Sequence, residues 1–517
     1  MGDTAENRTA AQDGRRTGPG PGPGPGPGAG PGPGPGPGPG PGPGPGPGPG
    51  PGAGPGPGPG AGPGPGAGPG PGPGAGPGPG AGPGPGPGAG PGPGPGAGPG
   101  PGPGAGAGPG PGAGAGPGPG AGPGPSPDPD RETEREPGQK LRERRIAAWR
   151  SAPRVLARLG FLGPLRERLA LLEAAGSVYD LDEAADLYGG GVVEALEERV
   201  AGLLGTEAAA FFPTGTMAQQ VALRCWAGLS GSPVVALHGL SHPEVHERNA
   251  FSRVGGLRPV RVTSEPRMPT AAEVRDFDEP FGALMLELPL RDAGFVLPTW
   301  EELTEVVDAA REREAVVHFD GARLWECTTH FGRPLEEIAA LADSVYVSFY
   351  KSLDGFGGAA LAGPATLAEE AKAWRHRYGG NVFQQFPTAL SALIGLEREL
   401  PRLPEYVTHA RVVAAALREG LEAGGLPWSR VHPEVPHTHD FQVWLPYDAG
   451  VVAEAAIRAA EETGTVLFAN HWDPKGPGLS STEVYVRAAA LEWTADDVRA
   501  AASDFARRLT ADEAVRT

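Results

Sequence analysis

Residues 317–326 read VHFDGARLWE, an apolar run that ends in a carboxylate and is followed by a glycine and, three residues on, a guanidinium. Ala315, Val316, Val317, His318 and Phe319 are rich in β-branched and aromatic types and predict a buried strand. Asp320 and Arg323 then stand at its mouth. Two readings are open here: a structural ion pair, or a site that grips a charged cofactor and a carboxylate ligand.

On either side of this strand, helical and strand patterns alternate. GVVEALEERVAGLLG (191–205) places Val193, Leu196, Val200 and Leu203 on one helical face, with Gly205 as a stop. EAAAFFP (207–213) is a short apolar strand, followed at once by the amphipathic helix TGTMAQQVALRCWAGL. GALMLELP (282–289) reads as a further buried strand. TWEELTEVVDAARERE carries Thr299 as N-cap with Glu302 three residues later, and DSVYVSFYK (343–351) suits another central strand. Such repetition predicts an α/β fold with a mainly parallel sheet, whose ligands bind outside the carboxyl ends of the strands.

After about Glu399 the texture changes. Helices over EYVTHARVVAAALREGLEAGG and VVAEAAIRAAEETG, strands at HDFQVWLP, VLFAN and EVYVRAAAL, and a last helix capped by Thr494 predict a smaller α+β domain. The division expected is a tail over 1–137, a large domain over 138–399 and a small one over 400–517. From Thr17 to Pro125 the tail is almost wholly Gly, Pro and Ala. Gly recurs at every second position, which excludes the collagen triple helix, and the tract reads as a disordered, extended spacer. The charged stretch ending LRERRIAAWR (141–150) reads as a helical lead-in to the folded part.

The net charge of −18 argues against general nucleic-acid affinity. Cys225 and Cys327 are the two cysteines of the chain, which fits a reducing cytosol. Neither a membrane span nor a signal peptide's apolar core is evident, so a soluble cytoplasmic protein is expected.

Three polar clusters fall at expected strand ends: Thr214-Gly215-Thr216, Asp320 to Arg323, and Lys351. The first is a hydroxyl-rich turn opening a helix, able to cap it or to offer N–H groups to a phosphate. Lys351 precedes the Gly-rich SLDGFGG and reads either as an exposed lysine or as a nucleophile whose pKa, ordinarily about 10.4, has been lowered. Asp320 opposite a pyridinium nitrogen would keep that nitrogen protonated, and Arg323 would meet a carboxylate or the ring's phenolate oxygen. A phosphate-type turn, then Asp, then Lys is the layout of a pyridoxal-phosphate (PLP) enzyme. The trio is far more specific than its members.

HFDGARLWE, SFYKSLDGFGGAAL, LEERVAGLLGTEAAAFFPTGTMAQQVAL and SHPEVHE together resemble the low-specificity threonine aldolases of the β-eliminating lyase group. The resemblance runs from about Asp186 to the C-terminus and implies a PLP-dependent transferase-like large domain of fold type I. It implies Lys351 as the lysine that anchors the cofactor, Asp320 as partner of the pyridinium nitrogen, and Gly215 and Thr216 as the phosphate turn. By the same resemblance His242 stacks on the ring near the substrate hydroxyl; it, or a water it orients, is the candidate for the base. Arg323 and Arg487 hold the substrate carboxylate. The implied activity is cleavage of the Cα–Cβ bond of a β-hydroxy-α-amino acid to glycine and an aldehyde, in a homodimer or homotetramer without nucleic-acid or membrane partners. β-Elimination, racemisation and a non-catalytic PLP-binding scaffold stay open as alternatives.

The chain departs from the family pattern in several places. A Ser-Asp-Thr segment is missing near the start of the folded part, and one acid, Asp186, stands before Tyr188-Gly189 where two are usual. ELPLRDAG keeps Glu287 but lacks the usual asparagine, Phe383 replaces an arginine in GGNVFQQ, and Tyr350 replaces a serine before the lysine. His238, His242 and His246 are spaced for a metal on a continuous helix, which Pro243 argues against, so no metal site is expected. His432, His437 and His439 read as part of a solvated loop.

Overall fold

The computed structural model describes residues 137–157 and 163–516; the tail assigned to 1–137 lies, but for Pro137, outside them. The first described helix, Pro137–Ser151, leads into a two-residue strand β1 (Arg154–Val155). Seven strands then build the main sheet: β2 (Ala208–Phe212), β3 (Val234–His238), β4 (Arg258–Thr263), β5 (Ala283–Glu287), β6 (Val316–Gly321), β7 (Ser344–Ser348) and β8 (Ala359–Gly363). Their order is β2-β8-β7-β6-β5-β3-β4. β8 is antiparallel to both of its neighbours, and the remaining six run the same way.

The sheet is central because its strands are apolar on both faces. Every residue of β3, β5, β7 and β8 is buried. A strand of that kind is stable only between two layers of helix. Helices Val192–Leu204, Gly215–Ser230, Trp300–Glu312, Ala365–Arg377 and Phe386–Arg398 are among those of the covering layers. Thr299 and Glu302 form a capping box at the start of Trp300–Glu312, as the sequence pattern predicts. Gly205, at φ 64°, ends Val192–Leu204 in the left-handed conformation that favours glycine.

The C-terminal part holds β9 (Arg430–His432), β10 (Asp440–Leu445), β11 (Thr465–Val466), β12 (Asp473–Gly476) and β13 (Leu479–Tyr485). Four of these make an antiparallel sheet in the order β12-β13-β10-β9. Helix Leu403–Ala423 bridges the two cores: Leu403 and Tyr406 pack with the large sheet's cluster, and Ala410 to Leu421 with the second cluster. The lead-in helix packs on Ala449–Thr463 through Ala148 and Ile457, and β1 pairs parallel with β11. The sequence-based division gave this lead-in to the large domain; its contacts are with the C-terminal part.

The strand expected at VLFAN is confined to Val466. Leu467, Phe468 and Ala469 are buried but irregular, so the apolar run reflects burial rather than pleating. EVYVRAAAL likewise ends its strand at Tyr485, and Ala488–Glu492 turn as a short 3-10 helix. Among the described residues no helix is long and apolar enough to cross a membrane.

Candidate active site

β2, β5, β6 and β7 run in one direction, so their carboxyl ends lie along one sheet edge, and the three polar clusters are all there. β2 leads into the Thr214 turn, β5 ends at Glu287, β6 carries Asp320, and β7 leads into Lys351. Asp320 is in register with Glu287 on one side and Tyr346 on the other. A Cβ on Gly215 would collide with the Tyr346 hydroxyl, so glycine is required for helix Gly215–Ser230 to start this close to the sheet. The Thr214 side chain accepts from Met217 N at 3.3 Å and caps that helix, while the N–H groups of its first turn have no intrahelical acceptor.

Asp320 is 2% exposed, and its Oδ1 accepts from Ala322 N at 3.1 Å. Burial raises its pKa above the ordinary carboxylate range, with Lys351 and His242 pulling the other way. Burial lowers the Lys351 amine to about 8, helped by the Arg323 guanidinium and opposed by Asp320 and Glu287. Glu287 is pushed up to about 7 by burial and by the neighbouring Asp320. Its two oxygens accept from His242 N at 2.7 Å and Arg291 N at 3.2 Å. The sequence showed Glu287 as a retained residue and did not reveal that it ties together the segments carrying His242 and Arg291.

His242 opens the four-residue helix His242–Val245, and its Nδ1 lies 3.2 Å from Glu247 Oε1. The glutamate fixes the proton on Nδ1 and leaves Nε2 as the basic nitrogen. His238 and His246 do not join it in a metal triad. His238 Nε2 donates to Glu265 O at 2.7 Å while its Nδ1 accepts from Leu240 N, and His246 is paired with Asp292 at 2.8 Å.

Asp320 and Arg323 are not an ion pair with each other. Arg323 Nε donates to Asp440 Oδ2 at 3.0 Å, at the start of β10, and the guanidinium lies 5.1 Å from the Phe295 ring centroid. Its two Nη groups make no hydrogen bond among the described residues. Arg487, just past β13, donates from Nη2 to the Lys351 carbonyl, while its Nε is buried without a partner. The Thr214 turn, His242, Asp320, Arg323, Lys351 and Arg487 are therefore at or beside one sheet edge. Phe383 is not part of it: the ring is 55% exposed and packs edge-on against Tyr188 at 5.3 Å. Asp186 caps the following helix by accepting from Gln385 N and Phe386 N.

The histidines read as a solvated loop are all engaged. His439 is fully buried between Glu326 and Asp440; His437 Nδ1 accepts from Leu297 N at 2.9 Å; and His432 Nε2 lies 3.0 Å from Ala293 O. Their partners come from distant segments, which spacing could not reveal.

The profile of the family described as Beta-eliminating lyase matches residues 169–426. The low-specificity L-threonine aldolase of Escherichia coli strain K12 is 31% identical over 263 residues, spanning 49% of this chain and 77% of that protein. The chain belongs to the threonine aldolase and β-eliminating lyase family. Low-specificity L-threonine aldolase 1 of Arabidopsis thaliana is 29% identical over 283 residues, 53% of this chain and 77% of its own. Among solved structures, a candidate L-allo-threonine aldolase from Listeria monocytogenes EGD-E is 32% identical with a TM-score of 0.65, covering 71% of this chain and 99% of that one. The Leishmania major threonine aldolase, 17% identical with a TM-score of 0.52, shares the fold. As in other members of the family, the fold is the α/β fold type I, with a mainly parallel sheet followed by an antiparallel one.

Proposed function

We propose that the chain is a PLP-dependent lyase that cleaves the Cα–Cβ bond of β-hydroxy-α-amino acids, giving glycine and an aldehyde. The observation that carries this reading is the alignment of an amine, a buried carboxylate and a free helix N-terminus along one sheet edge. The residues fit the cofactor: the Lys351 amine is lowered to about 8, Asp320 is buried, helix Gly215–Ser230 begins with N–H groups that lack intrahelical acceptors, and the Arg487 Nε is buried without a partner. Lys351 would anchor the cofactor, Asp320 would face its ring nitrogen, and Gly215 and Thr216 would meet its phosphate. Bound there, pyridoxal phosphate supplies an electron sink for the pair left on Cα when the Cα–Cβ bond breaks.

The other residues act on the substrate. Arg323, through its Nη groups, and Arg487 would hold the carboxylate, which a planar guanidinium suits best. His242 Nε2 would take the proton from the β-hydroxyl; the C–O bond then becomes the aldehyde carbonyl as the C–C bond breaks. A proton returned to Cα completes glycine. The Glu247 contact keeps His242 in the tautomer this needs.

The test is product analysis with threonine, allo-threonine, phenylserine and serine. Glycine with an aldehyde is expected; a keto acid with ammonia would replace this reading by β-elimination. Borohydride reduction of the protein followed by peptide mapping should find a pyridoxyl group on Lys351, and its absence there would remove the proposed anchor.

The same reading extends to assembly, location and domain division. Leu165, Leu169, Leu187, Tyr188 and Phe383 are large apolar side chains at least half exposed. Tyr188 and Phe383 touch at 5.3 Å, and exposed apolar side chains of this size favour a homodimer at least. A cytoplasmic location agrees with the free, buried Cys225 and Cys327. The large and small domains divide near residues 399 and 400, with the lead-in helix and β1 added to the small one.

A further inference from the structure

Glu326, His439 and Asp440 are each no more than 1% exposed. Glu326 lies in the 3-10 turn Leu324–Glu326 after β6, and the other two residues open β10 from the far side of the site. The imidazole stands between two carboxylates at ion-pair distance, without an aligned hydrogen bond to either: its Nε2 is 3.2 Å from Glu326 Oε1 and its Nδ1 is 3.2 Å from Asp440 Oδ1. Asp440 uses its other oxygen for Arg323 Nε at 3.0 Å, and Ser352, next to Lys351, donates to Glu326 Oε1. In this water-excluded row two carboxylates face one guanidinium; burial and Glu326 push Asp440 up to about 6, so above that pH, with both acids ionised, the charges balance when the ring carries a second proton. An unbalanced charge is costly where water cannot solvate it, so the balanced state is favoured.

The three donors lie within 4.8 Å of one another, close enough for a metal ion to be considered. A cation on either ring nitrogen would displace one carboxylate contact and would sit beside a guanidinium already bound to Asp440. The arrangement suits an imidazolium better than a metal.

We propose that His439 is a positioning residue: as an imidazolium clamped between Glu326 and Asp440, it holds Asp440 against the Nε edge of Arg323, so that the Nη groups face the substrate carboxylate. This rests on the reading of Arg323 as a carboxylate ligand. When His439 loses its proton, the row has a surplus negative charge, and Asp440 and Glu326 compete with the substrate carboxylate for Arg323. Carboxylate affinity therefore falls as pH rises through the titration of His439. Burial opposes the charged ring, but Glu326 and Asp440 outweigh it and hold the pKa of His439 above the ordinary range.

Other charged and titratable groups face the row. Arg487 opposes protonation of His439 from the end of β13, and the Tyr406 ring packs at 5.9 Å from helix Leu403–Ala423. Glu483 and Tyr485 face Arg323 from β13, Arg291 faces it from the loop after β5, and Lys351 lies beyond Ser352. Because Lys351 is lowered to about 8 and Asp440 raised to about 6, the test must isolate the share that belongs to His439.

The experiment is calorimetric titration of the holoenzyme with glycine, from mildly acid to alkaline pH, in the wild type and in His439→Gln, Asp440→Asn and Arg323→Gln. The inference expects His439→Gln to weaken glycine binding about tenfold or more at neutral pH, in line with loss of a charge-assisted contact, and to flatten the alkaline decline. Asp440→Asn should weaken glycine in the same direction. If Arg323→Gln weakens glycine while His439→Gln keeps wild-type affinity and pH profile, the positioning role fails and the carboxylate reading stands. If Arg323→Gln has no effect, both fail. Histidine-labelled NMR on the wild type gives a check that needs no folded His439 variant: a ring signal that moves on Glu326→Gln must carry two protons at neutral pH, and a neutral ring overturns the inference. Loss of glycine binding on chelation, restored by a divalent cation, would also overturn it.

Discussion

On the sheet side of the site, Lys351, Asp320 and the Thr214 turn each stand at the end of a strand whose own apolar run announces it. On the opposite side, Arg323 is held by Asp440, a residue 117 positions further along the chain, and Arg291 is paired at 2.9 Å with Glu483 of β13. The first wall is built from local pattern and strand direction. The second is built by packing one sheet's loops against the start of β10 and the adjoining end of β13. The chemistry expected of the two walls differs in the same way: the sheet side would hold the cofactor, and the far side would set what the substrate's carboxylate meets.

The largest effect should come from the sheet side. Lys351→Ala removes the proposed anchor, and glycine release from threonine should fall by roughly a thousandfold or more, with loss of the bound cofactor's visible absorbance. Substantial turnover with unchanged absorbance would break the assignment of that wall.

On the far side the expected loss is of stability. Asp440→Ala leaves the Arg323 guanidinium buried without its partner, and unfolding free energy should drop by about 3–5 kcal/mol in denaturant titration. A change under about 1 kcal/mol would mean that Arg323 finds water or another acid, and the two walls would then be more alike than the geometry says.

What could be read in advance follows the same division. The capping box at Thr299 and Glu302, the Gly205 stop and the strand before Asp320 depend on neighbours within a few residues, and all are present. The antiparallel β8 was not legible, because GGAALAG carries no sign of strand direction; pairing with β2 and β7 decides it. His439 misled for the opposite reason. Its spacing from His432 and His437 suggested a loop, whereas its burial is set by Glu326, which the sequence leaves unconnected to it. Arg323 was read correctly as a charged group at a strand mouth, but its ion-pair partner could not be found locally.

Acid stability gives a third way to set core against site. His318, inside β6, is fully buried, with Nδ1 2.8 Å from Ser344 Oγ and Nε2 2.7 Å from Gln219 Oε1, and burial lowers its pKa to about 3. The unfolded chain then binds the proton more readily than the folded one between about 6.5 and that value. Stability should fall as pH drops through this window, by up to about 1.4 kcal/mol per pH unit from this residue. His439 has the opposite sign: its contribution is complete below the unfolded pKa and is lost as pH rises through the raised folded value. Thermal unfolding of His318→Gln against pH should lose part of the acid slope and keep the alkaline one. Loss of both slopes together would show that the two histidines do not act independently.

The smallest effect is expected where ion pairs are most visible. Arg144, on the lead-in helix, reaches Glu454 at 3.0 Å and Glu461 at 2.8 Å, which looks better satisfied than Arg323. Its side chain is nevertheless 44% exposed, so water solvates both the pair and its separated members. Arg144→Ala should cost about 0–1 kcal/mol, and less at high salt, because exposed pairs are screened. The comparison with Asp440→Ala then sets an exposed ion pair against a buried one, each at 3.0 Å. If Arg144→Ala proved as damaging as Asp440→Ala, the lead-in helix would be fixed to helix Ala449–Thr463 chiefly by charge. The buried Ala148 and Ile457 argue that apolar packing holds it instead.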